Sequence, residues 1–137
     1  MERESINPTV WGLKWNMNQA ELTRGANQQL RCSGLVPVSP DPDSELGFAV
    51  VSPDNIRGQI ECTLANLDEV LIAAGMGRED VVYMRFYTTD VDGFLTNYDV
   101  YADWIGQTGL KPPQTLLGVQ RLALPEFMVE IEALAAA

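Results

Sequence analysis

Near the C-terminus Glu130 and Glu132 alternate with Val129, Ile131 and Ala133. In an extended chain successive side chains point to opposite faces, so both carboxylates share one face of a strand. A carboxylate moved into an apolar cleft loses hydration. Its pKa rises, and it can then take and return a proton near neutrality. The plainer alternative is a pair of satisfied structural carboxylates at a subunit seam. Cations able to hold an anionic substrate are few. Arg31 lies two residues before Ser33 on one strand and shares its face, and Arg85 sits between Tyr83 and Tyr87. The ordinary role for each is an exposed or interfacial ion pair. Histidine is absent. That removes Ser–His–Asp and Cys–His nucleophiles, the usual zinc and facial-triad iron sites, and the commonest general base. Chemistry falls to carboxylate, arginine, hydroxyl, thiol, amide or backbone groups, and no metal site is expected. Asp90-Val-Asp92-Gly93 is faintly like the opening of a calcium loop, but the later ligands are missing. Asp92 reads better as a helix cap.

The elements that must position these residues follow from periodicity. The segment through about Asn18 has no clear period. Glu21–Arg24, a Gly25-Ala26-Asn27 turn and Gln28–Ser33 read as a hairpin, and Ser39–Ser44 as a loop. A helix is expected to start with Ser52 as N-cap and Pro53 at its first position. Its apolar stripe runs through Ile56, Ile60, Leu64, Leu67, Leu71 and Ala74, and Gly75 ends it. Val81–Thr88 reads as a strand with Val82, Met84 and Phe86 on one face and Tyr83, Arg85 and Tyr87 on the other. A second helix capped by Asp92 carries Phe94, Tyr98, Tyr101 and Ile105. Lys111-Pro112-Pro113 leads into a strand at Thr115–Val119, Arg121–Glu126 is a turn region, and Phe127–Ala135 is the last strand. Two helices cover one face of such a sheet. The other face needs cover too, and a second subunit is the simplest source.

The 137 residues suit one domain, residues 1–137, of α/β (α+β) class. A net charge of −10, with the basic residues scattered, disfavours nucleic acid and anionic membranes as partners. Cys32 and Cys62 fall in no motif and read as small semi-buried residues of a reducing, cytoplasmic compartment. No apolar run is long enough to span a bilayer.

Several stretches resemble the Rid (reactive intermediate deaminase) family. They are Thr63-Leu-Ala-Asn-Leu-Asp-Glu-Val-Leu-Ile-Ala-Ala-Gly75, Asp80-Val-Val, Thr89-Asp-Val-Asp-Gly-Phe94, Pro113-Gln-Thr-Leu-Leu-Gly-Val119, Val129-Glu-Ile-Glu-Ala-Leu-Ala135 and Cys32-Ser-Gly34. The resemblance implies a six-stranded mixed sheet with two helices on one face, similar to the bacterial chorismate mutase fold. It implies a homotrimer with small-molecule clefts between subunits, and cofactor-free hydrolysis of enamines and imines to keto acids and ammonia. A family arginine in the Pro113–Val119 stretch binds the substrate carboxylate, and a glutamate at the position of Glu130 serves the hydrolytic water. This chain departs from that pattern. Gln114 stands at the arginine position, Leu116 at a common cysteine, and Tyr98 at a frequent asparagine, with Asn97 one place away.

The resemblance thus implies Glu130 as the catalytic acid–base group. Gln114, Ser33, Gly34, Thr115, Leu116, Tyr98, Trp15, Met17 and Arg31 form the expected substrate-binding set. Arginine holds a carboxylate through a charged two-bond fork, whereas glutamine offers a neutral amide. A standard amino-acid-derived imine is therefore not the expected substrate. Either the ligand is neutral, or Arg31 or Arg85 supplies the missing charge. Trp15, Met17, Tyr98 and Leu116 suit an uncharged or aromatic ligand, or ordinary packing at a subunit interface. Trp11 and Trp104 read as packing. The alternative to a hydrolase is a non-catalytic metabolite-binding or regulatory trimer. Ribonuclease activity conflicts with the acidic charge.

Overall fold

The computed structural model describes residues 1–137. The chain runs through β1 (Glu2–Ile6), a 3-10 turn at Trp11–Trp15, β2 (Ala20–Arg24), β3 (Gln29–Arg31), β4 (Val38–Pro40) and β5 (Phe48–Val50). It continues through α1 (Ile56–Ala73), β6 (Val81–Thr88), α2 (Val91–Thr96), α3 (Asp99–Gly106), β7 (Gln114–Gly118) and β8 (Val129–Ala136). The fold is mixed α+β. Its central sheet has four strands in the order β3–β8–β6–β7, and β1–β2 and β4–β5 form separate two-stranded ribbons. Six strands in one sheet were expected. The first ribbon meets β6 through a side chain instead of a ladder. The Arg3 guanidinium donates to the carbonyls of Glu79 and Val81, both at 2.7 Å, and pairs with the nearly buried Glu21 at 2.9 Å.

The expected N-terminal hairpin is also revised. β2 pairs with β1, and β3 crosses to pair with β8, after a turn at Gly25 with φ +69°. Ser39 and Pro40 belong to a strand, because Val38–Pro40 pairs with Phe48–Val50 and leaves the loop to residues 41–47.

The apolar stripe of α1 packs as its spacing predicts, with Ile60, Leu64, Leu67 and Leu71 each at most 2% exposed. The cap is Asn55, not Ser52. Its Oδ1 accepts from Gly58 N at 3.1 Å, while Ser52 takes φ +51° outside the helix. Gly75, at φ +70°, ends the helix as expected. The second helix divides into α2 and α3. Asp90, two residues before the expected Asp92, caps α2 by accepting from Gly93 N at 2.9 Å. The Asn97 side chain donates back to Gly93 O at 2.8 Å and competes with the regular ladder. The break falls at Asn97 and Tyr98 and turns Tyr98 toward β7.

In β6 a bulge between Val81 and Tyr83 buries Val81 in place of Val82. From there Met84 and Phe86 face the helices with Ile131 and Ala133 of β8, which begins at Val129 instead of Phe127. Phe86 anchors an aromatic cluster, with its ring centroid 4.8 Å from Tyr101 and 5.2 Å from Phe94. Trp104 is structural, as expected. Its indole donates to Asp68 at 3.1 Å, and the Arg78 guanidinium lies 4.8 Å over its ring. The opposite face of the sheet carries Tyr83, Arg85, Tyr87, Glu130, Glu132 and Leu134, with no helix over it. No helix is long and apolar enough to cross a membrane.

Candidate functional site

Register decides where the candidate residues go. β7 runs parallel to β6 with Gln114 beside Met84, Thr115 beside Arg85 and Leu116 beside Phe86. Paired residues share a face. Gln114 and Leu116 therefore point to the helix side, and Thr115 points to the open side. On β8, Glu130 lies beside Tyr87 and Glu132 beside Arg85, also on the open side. Within one chain the residues predicted to act together fall into two groups on opposite faces of the sheet.

The helix-side group is a pocket of about 240 Å³ lined by Trp11, Trp15, Met17, Phe86, Leu95, Tyr98, Gln114 and Leu116. None of these is charged. Five of them are the predicted Trp15, Met17, Tyr98, Gln114 and Leu116. Trp11, read from sequence as packing, also lines the pocket. Leu95 and Phe86 were not anticipated, although α2 carries Leu95 next to Phe94. The Gln114 amide nitrogen donates to the Trp15 carbonyl at 3.0 Å and to the Tyr98 hydroxyl at 2.6 Å. Tyr98 in turn donates to the Trp15 carbonyl. The Tyr98 hydroxyl is pushed up to about 12 by burial, partly offset by the Gln114 hydrogen bond. Tyr98 and Trp15 also meet edge to face, with centroids 5.7 Å apart. The N-terminal turn is thus tied to β7 and α3 by the residue expected to hold the substrate.

The open-face group centres on Glu130. Gly34 lies directly against it, since a Cβ built on Gly34 would come within 2.5 Å of Glu130 Oε1. Any larger residue there would displace the carboxylate. Burial, and then the charge of Glu132, push the Glu130 carboxyl above its ordinary value. Glu132 is better satisfied. It accepts from the Tyr87 hydroxyl at 2.7 Å and pairs with Arg85 at 3.6 Å. The Tyr83 and Thr115 hydroxyls are hydrogen-bonded to each other at 2.6 Å. Arg31 sits opposite Leu134, farther along the same open face, and is exposed. Ser33 is exposed beside Gly34. Neither Arg31 nor Arg85 lines the Gln114 pocket within one chain. Cys32 and Cys62 are free and half-buried, and burial raises both thiols, which leaves them poor nucleophiles.

One face of the sheet thus carries an apolar, uncharged pocket, and the other a carboxyl whose pKa is raised. The chain was also compared with known proteins. The family described as Endoribonuclease L-PSP matches residues 18–137. A RutC family protein of Aquifex aeolicus is 31% identical over 109 residues, covering 80% of this chain and 81% of its own. The crystal structure of YyfB, a Rid family protein of Yersinia pestis, superposes with a TM-score of 0.82 at 29% identity and full coverage of both chains. Escherichia coli TdcF, which carries the provisional name of reactive intermediate deaminase, is solved with bound serine. It superposes with a TM-score of 0.67 at 26% identity, over 88% of this chain and 87% of its own. This chain belongs to the Endoribonuclease L-PSP family, to which the Rid proteins belong.

Proposed function

We propose that this protein binds an uncharged small electrophile, an imine, an enamine or a related compound, and adds water to it without a cofactor. The observation that carries the reading is the pocket at Gln114, which has no charged residue in its lining. A substrate carboxylate there would lose its hydration without a cation to compensate. Glu130 is the group to manage the proton. As a base it takes a proton from water while the water oxygen bonds to the C=N carbon. It returns that proton to nitrogen to give a carbinolamine, then carries the hydroxyl proton to the same nitrogen as the C–N bond breaks, and a carbonyl compound and ammonia leave. Glycine at position 34 gives the carboxylate its room, and Ser33 and Thr115 supply hydroxyls on the same side.

Glu130 and Gln114 lie on opposite faces of one sheet, so a site that uses both takes one from each of two copies. We therefore propose a homotrimer with its clefts at the seams, similar to the bacterial chorismate mutase assembly. Sedimentation at micromolar concentration should give a trimer, and a monomer there would remove the composite site. Cytoplasmic residence belongs to the same proposal. The endoribonuclease of the family name is not carried over, because a net charge of −10 repels a phosphate backbone.

The test is hydrolysis of an amino-acid-derived imine generated in situ, by wild type and by Gln114→Arg. Wild type should give no acceleration over buffer. Gln114→Arg should gain roughly tenfold or more over wild type, the difference between a neutral and a charge-assisted hydrogen bond. Strong turnover by wild type would show that a cation elsewhere serves the site and would sink the uncharged-substrate reading. One observation favours a second reading, a binding module without turnover. The Gln114 donors are already spent on Trp15 and Tyr98. Thermal stabilisation by a ligand that is never consumed would select it.

A further inference from the structure

The N-terminal turn is fixed at its base and fastened at one point above it. At the base, side chains hold the two ends together. Asn7 donates to Asn18 Oδ1 at 2.9 Å, and Asn18 donates to Ser5 Oγ at 3.0 Å. Gln19 Oε1 accepts from the Thr9 amide and hydroxyl, both at 3.1 Å. Asn18 is 7% exposed, and its backbone amide donates to Lys111 O at 2.8 Å. Beyond the base the turn closes on itself. Met17 N donates to Gly12 O at 3.2 Å, and a Cβ built on Gly12 would lie 3.0 Å from Met17 O. Residues 10–17 reach the rest of the protein by hydrogen bonds at the Trp15 carbonyl alone, which accepts from the Gln114 amide at 3.0 Å and from the Tyr98 hydroxyl.

Little packing adds to that fastening. Trp11, Trp15 and Met17 line the same pocket of about 240 Å³ as Phe86 and Leu116 of the sheet, so the turn stands off from the sheet across a cavity. Groups that face a void lose the dispersion contacts a packed core would give them. Trp11 is 59% exposed and Trp15 38%, and Gly12 is the one buried residue of the turn. A segment with few buried apolar contacts opens locally at small cost. The two bonds to the Trp15 carbonyl, together with the edge-to-face contact of Trp15 and Tyr98, therefore decide how often this turn is closed.

We propose that residues 10–17 are a lid on this pocket and that Tyr98, with Gln114, is the positioning residue that latches it shut. The links from Thr9 to Trp11 and from Met17 to Asn18, between the fixed base and the self-closed turn, are the hinges. The proposal rests on the small-molecule reading of the same pocket and adds how a guest enters and is kept. It enters with the Trp15 carbonyl released from its two donors. Once inside, it gives Trp11 and Trp15 the apolar contact that the empty cavity withholds, so occupancy favours the closed lid.

The test is limited cutting by trypsin after Lys14, an exposed residue of the turn. Cleavage needs the turn out of its closed form, so its rate follows the population of the opened lid. Cutting after Arg121, exposed between β7 and β8, is the internal control. Tyr98→Phe keeps the ring that meets Trp15 and removes one latch bond. It should raise the rate after Lys14 about fivefold and leave the rate after Arg121 unchanged. Gln114→Leu should do the same through the other bond. Indole at millimolar concentration should slow the cut after Lys14 in wild type severalfold. No rise after Lys14 in Tyr98→Phe or in Gln114→Leu, or an equal rise after Arg121, would overturn the latch. Undiminished cutting after Lys14 in the presence of indole would overturn the lid. Protection by indole in a protein that turns over no imine or enamine would leave the lid standing and remove the hydrolase reading alone.

Discussion

Replacing Glu130 by glutamine is expected to cut turnover of any imine or enamine substrate by about 10²- to 10⁴-fold and, at neutral pH, to raise thermal stability. The two effects have one origin. Glu130 lies against Gly34, and burial together with the charge of Glu132 pushes its carboxyl above the ordinary value. A carboxyl with a raised folded-state pKa penalises the folded protein only when it is ionised. Below the ordinary carboxylate pKa both folded and unfolded chains are protonated, and the penalty is absent. It grows as pH rises from that value through the raised one, and it is complete above. Glutamine keeps the shape and never ionises. The variant should therefore melt at higher temperature than wild type at pH 7, and the advantage should shrink to nothing as pH falls toward roughly 4. Paired melting curves from pH 3.5 to pH 8 test this. A variant less stable than wild type at every pH would identify Glu130 as a structural carboxylate at a subunit seam. A variant with turnover unchanged would remove it from the proton transfer.

The contrast with Glu132 sharpens that expectation. Glu132 accepts from Tyr87 and pairs with Arg85, so its charge is answered locally. Glu130 has neither contact, and the charge of Glu132 works against its ionisation. Alternation on the last strand was enough to place both glutamates on one face. It could not show that one is satisfied and the other held in an unfavourable state, because that depends on which β6 residues lie opposite.

The same limit explains the split of the candidate site. Periodicity correctly located β6, the α1 stripe and the alternation of the last strand, since each buries a regular set of apolar side chains. Register is not contained in any one strand. A slip of one residue between β6 and β7 would bring Gln114 to the open face that carries Glu130 and hide Thr115. Composition could nominate Trp15, Met17, Tyr98 and Leu116 as one apolar cluster, and they do line one pocket. Local sequence could not show that the Gln114 amide is spent on a carbonyl 99 residues away. β1 was illegible for a different reason. Glu2, Arg3, Glu4 and Ser5 bury little apolar surface, and the ribbon is held to β6 by the Arg3 guanidinium.

Gln59 is the clearest residue that patterning overlooks, and its removal should give the largest loss of stability among the substitutions considered. It sits one position before Ile60 on the buried face of α1 and is fully buried, so an apolar residue would be the naive choice there. Its amide nitrogen donates to Ser52 O at 3.1 Å and to Glu126 O at 2.8 Å, and its oxygen accepts from Met128 N at 2.8 Å. These bonds join α1 both to the bend preceding it and to the segment entering β8. Thr88 grips the same segment by donating to Met128 O at 2.8 Å. Gln59→Leu keeps the volume and deletes all three bonds. Each backbone group left unpaired costs about 1–3 kcal/mol where water cannot reach it, and partial access to solvent lowers the sum. A loss of roughly 3 kcal/mol is expected, seen as a fall in melting temperature on the order of ten degrees. Met128 is two residues before Glu130, so the loss should also loosen the carboxylate. Its raised pKa, followed by NMR, should relax toward the ordinary value in a protein that is still folded. A large destabilisation with the Glu130 titration unmoved would mean that Gly34 and Glu132 alone hold the carboxylate, and that Gln59 serves only the join between helix and strand.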